Sequence, residues 1–110
     1  MSKPESLVVA TTTVATREQA EALAREVASQ QRAACVQIDG PITSYYIWEG
    51  ELQTSAEWRL TIKSTRAALA ALQALVHQLH PYELPQWWVQ APEQVSDAYA
   101  RWVQDSVQPQ

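Results

Sequence analysis

The sequence predicts an α+β domain of the ferredoxin-like type: one antiparallel sheet, two helices on one of its faces, and an added C-terminal helix. Three observations carry this. Residues 52–63 alternate, with one face mostly apolar and the other polar, the mark of a half-buried strand. Two stretches, after residue 16 and after residue 65, space their apolar residues as helices do. Between and around them lie Val-, Thr- and aromatic-rich runs, in the order β-α-β-β-α-β. At 110 residues the whole chain, 1–110, reads as a single domain.

Leu7 to Val14 is the first strand, rich in Val and Thr. Thr16 with Gln19 three positions on matches a capping box. Ala20, Leu23, Ala24, Val27 and Ala28 then keep to one helical face, so a helix is expected over 17–31. Residues 33–48 suit a long strand, with a bulge or bend at Gly40-Pro41. Glu49-Gly50 is a two-residue turn, because glycine tolerates positive φ. The return strand sets Leu52, Thr54, Ala56, Trp58, Leu60 and Ile62 against Gln53, Ser55, Glu57, Arg59, Thr61 and Lys63.

Ser64 or Thr65 is the expected cap of the second helix, whose stripe is Leu69, Leu72, Val76 and Leu79. That helix must stop near His80, since Pro81 pushes its predecessor out of helical geometry. Trp87 to Gln90 reads as a short fourth strand, and Asp97 to Val107 as the last helix.

Eight basic against twelve acidic side chains give a formal net charge of −4, with no basic stripe. A nucleic-acid or anionic-membrane partner is therefore not expected. The single cysteine, Cys35, allows neither an intrachain disulfide nor a CxxC motif. "MSKPESLVVATTTVAT" has no continuous apolar core, and no run is long enough to span a bilayer. A reduced, cytoplasmic setting is the expectation.

Pairing across Glu49-Gly50 puts Trp48 opposite Glu51, Ile47 opposite Leu52 and Tyr46 opposite Gln53. Tyr45 and Ile47 then share the helix-covered face with Leu52, while Tyr46 and Trp48 land on an otherwise polar face. Rings of that size need cover. Another copy of the chain is one candidate; the C-terminal helix or the Trp87-Trp88 strand is the other.

Three blocks, "AACVQIDGPITSYYIWEGEL", "EWRLTIKST" and "HPYELPQWWVQAP", together with "AYARWV" near the end, resemble the CutA-type divalent-cation-tolerance proteins. The resemblance runs from Leu7 to Val103. It implies a homotrimer with interlocked sheets, similar to PII signalling proteins, binding copper or other divalent ions in some members and catalysing no established reaction. The chain departs from the family pattern in places. "GPITS" replaces the commoner "PGITS", and Gln86 stands where an acidic residue is usual. "ATTTVAT" carries threonines where some bacterial members place a cysteine.

From these residues, His80 is the expected metal ligand, for Cu²⁺ or another divalent cation, with helix capping as its plain alternative. Tyr46, Trp48, Lys63, Tyr82 and Glu83 are expected to line an intersubunit cleft, with Lys63 and Glu83 as a charged pair suited to a small anionic or zwitterionic ligand. Tyr46, Trp48, Trp87 and Trp88 are the expected trimer contacts. No nucleophile–base constellation, paired catalytic carboxylates or phosphate loop is present. A binding or regulatory protein is thus favoured over a small enzyme or metabolite-binding protein using the cleft.

Overall fold

A computed structural model describes residues 6–107. Four strands and three helices follow in the order β1 (Leu7–Val14), α1 (Arg17–Ser29), β2 (Cys35–Trp48), β3 (Glu51–Thr65), α2 (Leu69–Leu79), β4 (Trp88–Gln90) and α3 (Asp97–Ser106). The sheet order is β2-β3-β1-β4, and every neighbouring pair is antiparallel.

Local chemistry explains the boundaries. The Thr16 hydroxyl accepts from the Gln19 N–H at 3.1 Å while the Gln19 side chain accepts from the Thr16 N–H at 3.2 Å, closing the capping box on α1. α1 ends at Ser29, two residues short of the expected stop, and Gln31 takes a positive φ just beyond it. Thr65 does cap, but one turn early: its hydroxyl accepts from the Ala68 N–H in the turn that precedes α2. The bulge falls where Gly40-Pro41 predicts it, between Asp39 and Ile42. There a β-carbon on Gly40 would lie 2.8 Å from the Trp58 ring, so only glycine lets the bulge pack down on that indole.

The main core lies between one sheet face and α1 with α2. Ala10 and Val14 of β1, Leu60 and Ile62 of β3, Leu23 and Val27 of α1, and Leu72 and Val76 of α2 are buried together. α3 packs on the opposite face, at the far end from the hairpin, through Val103 and Val107 against Leu7 and Val9. This removes the C-terminal helix as a cover for the hairpin.

One expectation about cover fails. Tyr45, Ile47 and Leu52 do point to the helix side, in the predicted register. They are nevertheless 72%, 66% and 70% exposed, more than Tyr46 (42%) and Trp48 (38%) on the other side. Length is the reason. The 15 residues of β3 reach about 50 Å, while the 13 residues of α1 span about 20 Å. The hairpin runs out beyond both helices, giving an elongated body of 49 × 27 × 21 Å.

Candidate functional site

The residues after α2 do not leave the sheet; they fold back along β1 and toward the hairpin. His80, extended at φ −70° and ψ 134°, turns the chain out of the helix. Its Nδ1 accepts the Tyr82 backbone N–H at 3.1 Å, which assigns the ring proton to Nε2, 3.0 Å from the Thr12 hydroxyl. Burial holds the imidazole below its ordinary pKa and favours this neutral ring.

Both ring nitrogens of His80 are therefore engaged within this chain, so acting as the expected metal ligand would require it to give up one of these bonds. A ligating imidazole needs a free lone pair, and the only one on His80 is taken by a backbone amide. His77 differs: its side chain is exposed, its Nδ1 meets the Gln73 carbonyl oxygen at 3.0 Å, and its Nε2 has no hydrogen-bond partner among the described residues. Among the described residues no three His, Cys, Asp or Glu side chains converge on a metal-sized site. The described donors of one chain do not fit a resident metal.

Tyr82 points the other way, onto the face that carries Tyr46 and Trp48. Its hydroxyl donates to Oε2 of Glu57 at 2.8 Å. Burial, reinforced by that carboxylate, pushes the phenol's pKa well above its ordinary value, so Tyr82 is a hydrogen-bond donor at all physiological pH. Glu57 is only 9% exposed, an unusual place for a carboxylate. The sequence pattern missed it, because in strict alternation it reads as one more solvent-facing polar residue. A signal existed: Glu57 pairs with Ile42 at the bulge, on the face that receives the proline-rich segment.

Tyr46, Trp48, Glu57, Tyr82, Glu83 and Leu84 are among the side chains bordering a cleft of about 740 Å³ between hairpin and segment. Tyr46, Trp48, Tyr82 and Glu83 thus border one cleft within a single chain, and the proline-rich segment forms its second wall. Lys63 does not join them. It lies farther along β3, about 20 Å from Glu57 at strand rise, opposite Cys35 and hydrogen-bonded to Gln37. Within one chain Lys63 and Glu83 do not meet, and no described residue bordering the cleft is basic, so the expected charged pair would have to form between copies.

The tryptophan pair divides. Trp87 turns inward, its ring edge-on to His77 with centroids 5.6 Å apart and packed on the main core. It packs within its own protomer and is only partly buried there. Trp88, paired with Thr11 on the edge strand, keeps an exposed ring on the other face. Cys35 is half-buried and free.

The family model for the CutA1 divalent ion tolerance protein matches residues 8–106. The chain belongs to this family. It is 33% identical to Protein CutA of Mus musculus over 91% of its own length, and it spans little more than half, 56%, of that relative. The solved CutA of Synechococcus elongatus PCC7942 superimposes with a TM-score of 0.91 at 35% identity, covering 98% of this chain and 95% of that one. A structure titled PII-like protein CutA from Nostoc sp. PCC 7120, in apo form, gives a TM-score of 0.87 at 28% identity, covering 94% and 99%. The CutA1 fold thus includes the long hairpin and the α2–β4 segment that frame the cleft.

Proposed function

We propose that this CutA1-family chain is a homotrimeric, cytoplasmic binding or regulatory protein in divalent-cation tolerance, not an enzyme, and that its cleft is a ligand site. One observation carries the assembly. The hairpin holds Tyr45, Ile47 and Leu52 on one face and Tyr46 and Trp48 on the other, all uncovered within the chain. A ribbon apolar on both sides beyond its own helices needs protein on both sides. Two neighbouring copies of the same chain supply that in a closed ring.

Copper or another divalent ion is the cargo in this reading. It would sit between copies, since no three such donors converge among the described residues of one chain, and His77 Nε2 is the imidazole atom with no partner among them. Sedimentation equilibrium tests the assembly and calorimetry with Cu²⁺ tests the cargo. A monomer at micromolar concentration would refute the first, and a trimer that releases no heat with Cu²⁺ the second.

A further inference from the structure

Resting on the reading of the hairpin as the assembly element, we infer that Glu57, Trp58 and Arg59 form a clamp that fixes the angle at which the hairpin leaves the body. The hairpin then meets neighbouring copies already aimed. The place where it loses its support points there. The last residue of β1, Val14, pairs with Trp58, and past that pair β2 and β3 continue as a two-stranded ribbon. Such a ribbon is marginal by itself. The bulge falls at the same point. Asp39 pairs with Arg59 and Ile42 with Glu57, so Gly40 and Pro41 together stand opposite the single residue Trp58. A bulge bends and twists its strand, and Tyr45, Tyr46, Ile47, Trp48 and Leu52 all lie beyond it. The angle set here decides where those uncovered side chains point.

The three residues opposite the bulge are each tied to a different element. Glu57 accepts the Tyr82 hydroxyl at 2.8 Å, from the proline-rich segment. Trp58, on the other face, is half-buried; Gly40 packs down on its ring, and the Arg17 guanidinium of α1 lies 5.4 Å from the ring centroid. Arg59 holds Asp39, the last paired residue before the bulge, by two hydrogen bonds at 3.2 and 2.7 Å. Segment, helix and strand thus grip one junction from both faces of the sheet. Each tie is made inside one chain, so none depends on what a neighbouring copy lays over it.

Singly, an exposed ion pair or a cation–π contact is weak. Placed at one junction with a buried hydrogen bond, they restrain the same motion. Association loses affinity for every freedom it must freeze, so a hairpin held at its working angle binds its neighbours tighter without any new contact. Glu57, Trp58 and Arg59 are in this sense positioning residues for the assembly.

Asp39→Ala and Trp58→Leu test the clamp by sedimentation equilibrium over a dilution series, with hydrogen exchange of residues 38–43 and 56–59 on the same samples. Asp39→Ala should weaken self-association by roughly threefold per copy and Trp58→Leu by roughly tenfold. Exchange beside the bulge should quicken by similar factors. Asp39→Arg joined to Arg59→Asp rebuilds the ion pair with its charges exchanged, and should return both readings to within about twofold of the unmodified protein. A direct contact of either residue with a neighbour would be reversed by that exchange and could not recover. Should Trp58→Leu not fold, Asp39→Ala and the exchanged pair carry the test. Association or hydrogen exchange left unchanged by Asp39→Ala, or an exchanged pair as weak as the single change, would overturn the clamp. An unmodified protein that sediments as a monomer refutes the assembly alone, and hydrogen exchange beside the bulge then decides the clamp by itself.

Discussion

The Tyr82 hydroxyl and the Glu57 carboxylate, twenty-five residues apart in the chain, meet at 2.8 Å and tie the proline-rich segment to the centre of β3. This bond spans the floor of the cleft. Tyr82→Phe keeps the ring and removes the donor, leaving a nine-tenths-buried carboxylate without its partner. A loss of about 1–3 kcal/mol is expected in urea unfolding. Glu57→Leu combined with Tyr82→Phe should lose less than the two single changes added, because both remove the same hydrogen bond.

His80 makes stability depend on pH. Burial lowers its folded pKa below 6.5, His77 acts in the same direction, and the Thr13 backbone and Glu57 oppose them. Unfolded chain therefore binds a proton below about pH 6.5 that the folded chain resists, so this stabilisation is present above that pH and lost as pH falls. Protonation would also take the Nδ1 lone pair from the Tyr82 N–H. Thermal midpoints should drop between pH 7.5 and 5, and His80→Gln should flatten that slope. An unchanged slope would refute the role given to this ring.

The two glycines should respond differently to alanine. Gly40→Ala drives a β-carbon to 2.8 Å from the Trp58 ring and 3.0 Å from the Glu57 carbonyl oxygen. The bulge must shift, at about 1–3 kcal/mol. Gly50, at φ +79°, has nothing within 4 Å, so Gly50→Ala meets only backbone strain of about 1 kcal/mol. Guanidinium unfolding of both variants should rank them in that order.

Copper uptake should follow His77 rather than His80. The His77 Nδ1 is held on the Gln73 carbonyl, which leaves Nε2 as donor, the arrangement that orients metal-binding imidazoles. His77→Ala should lower Cu²⁺ stoichiometry in calorimetry, while His80→Gln should leave it intact. The reverse result would restore His80 as the ligand.

Much of this architecture can be read from the residues, and the exceptions have a common cause. β1 occupies the predicted residues, and the Trp48–Glu51 register follows from the two-residue turn, because local chemistry decides both. The Thr16–Gln19 cap is likewise local. Alternation told which face Ile47 and Leu52 share, but not that the helices end too soon to cover them. Glu57 was hidden because its burial depends on a segment that returns from residue 82. Lys63 is expected in the cleft by chemical type, whereas its distance along β3 keeps it out of the part of the cleft that its own chain forms. Trp87 and Trp88 are equivalent in composition; only the strand register sends one to the core and the other to solvent.

Equilibrium sedimentation of the unmodified protein at micromolar concentration, beside Trp48→Glu, tests the central claim most directly. The expected mass is three times the 12.3 kDa chain for the unmodified protein, falling toward one chain when position 48 carries a charge. A stable, folded 12.3 kDa species from the unmodified chain, or an intact trimer with glutamate at that position, would contradict the account.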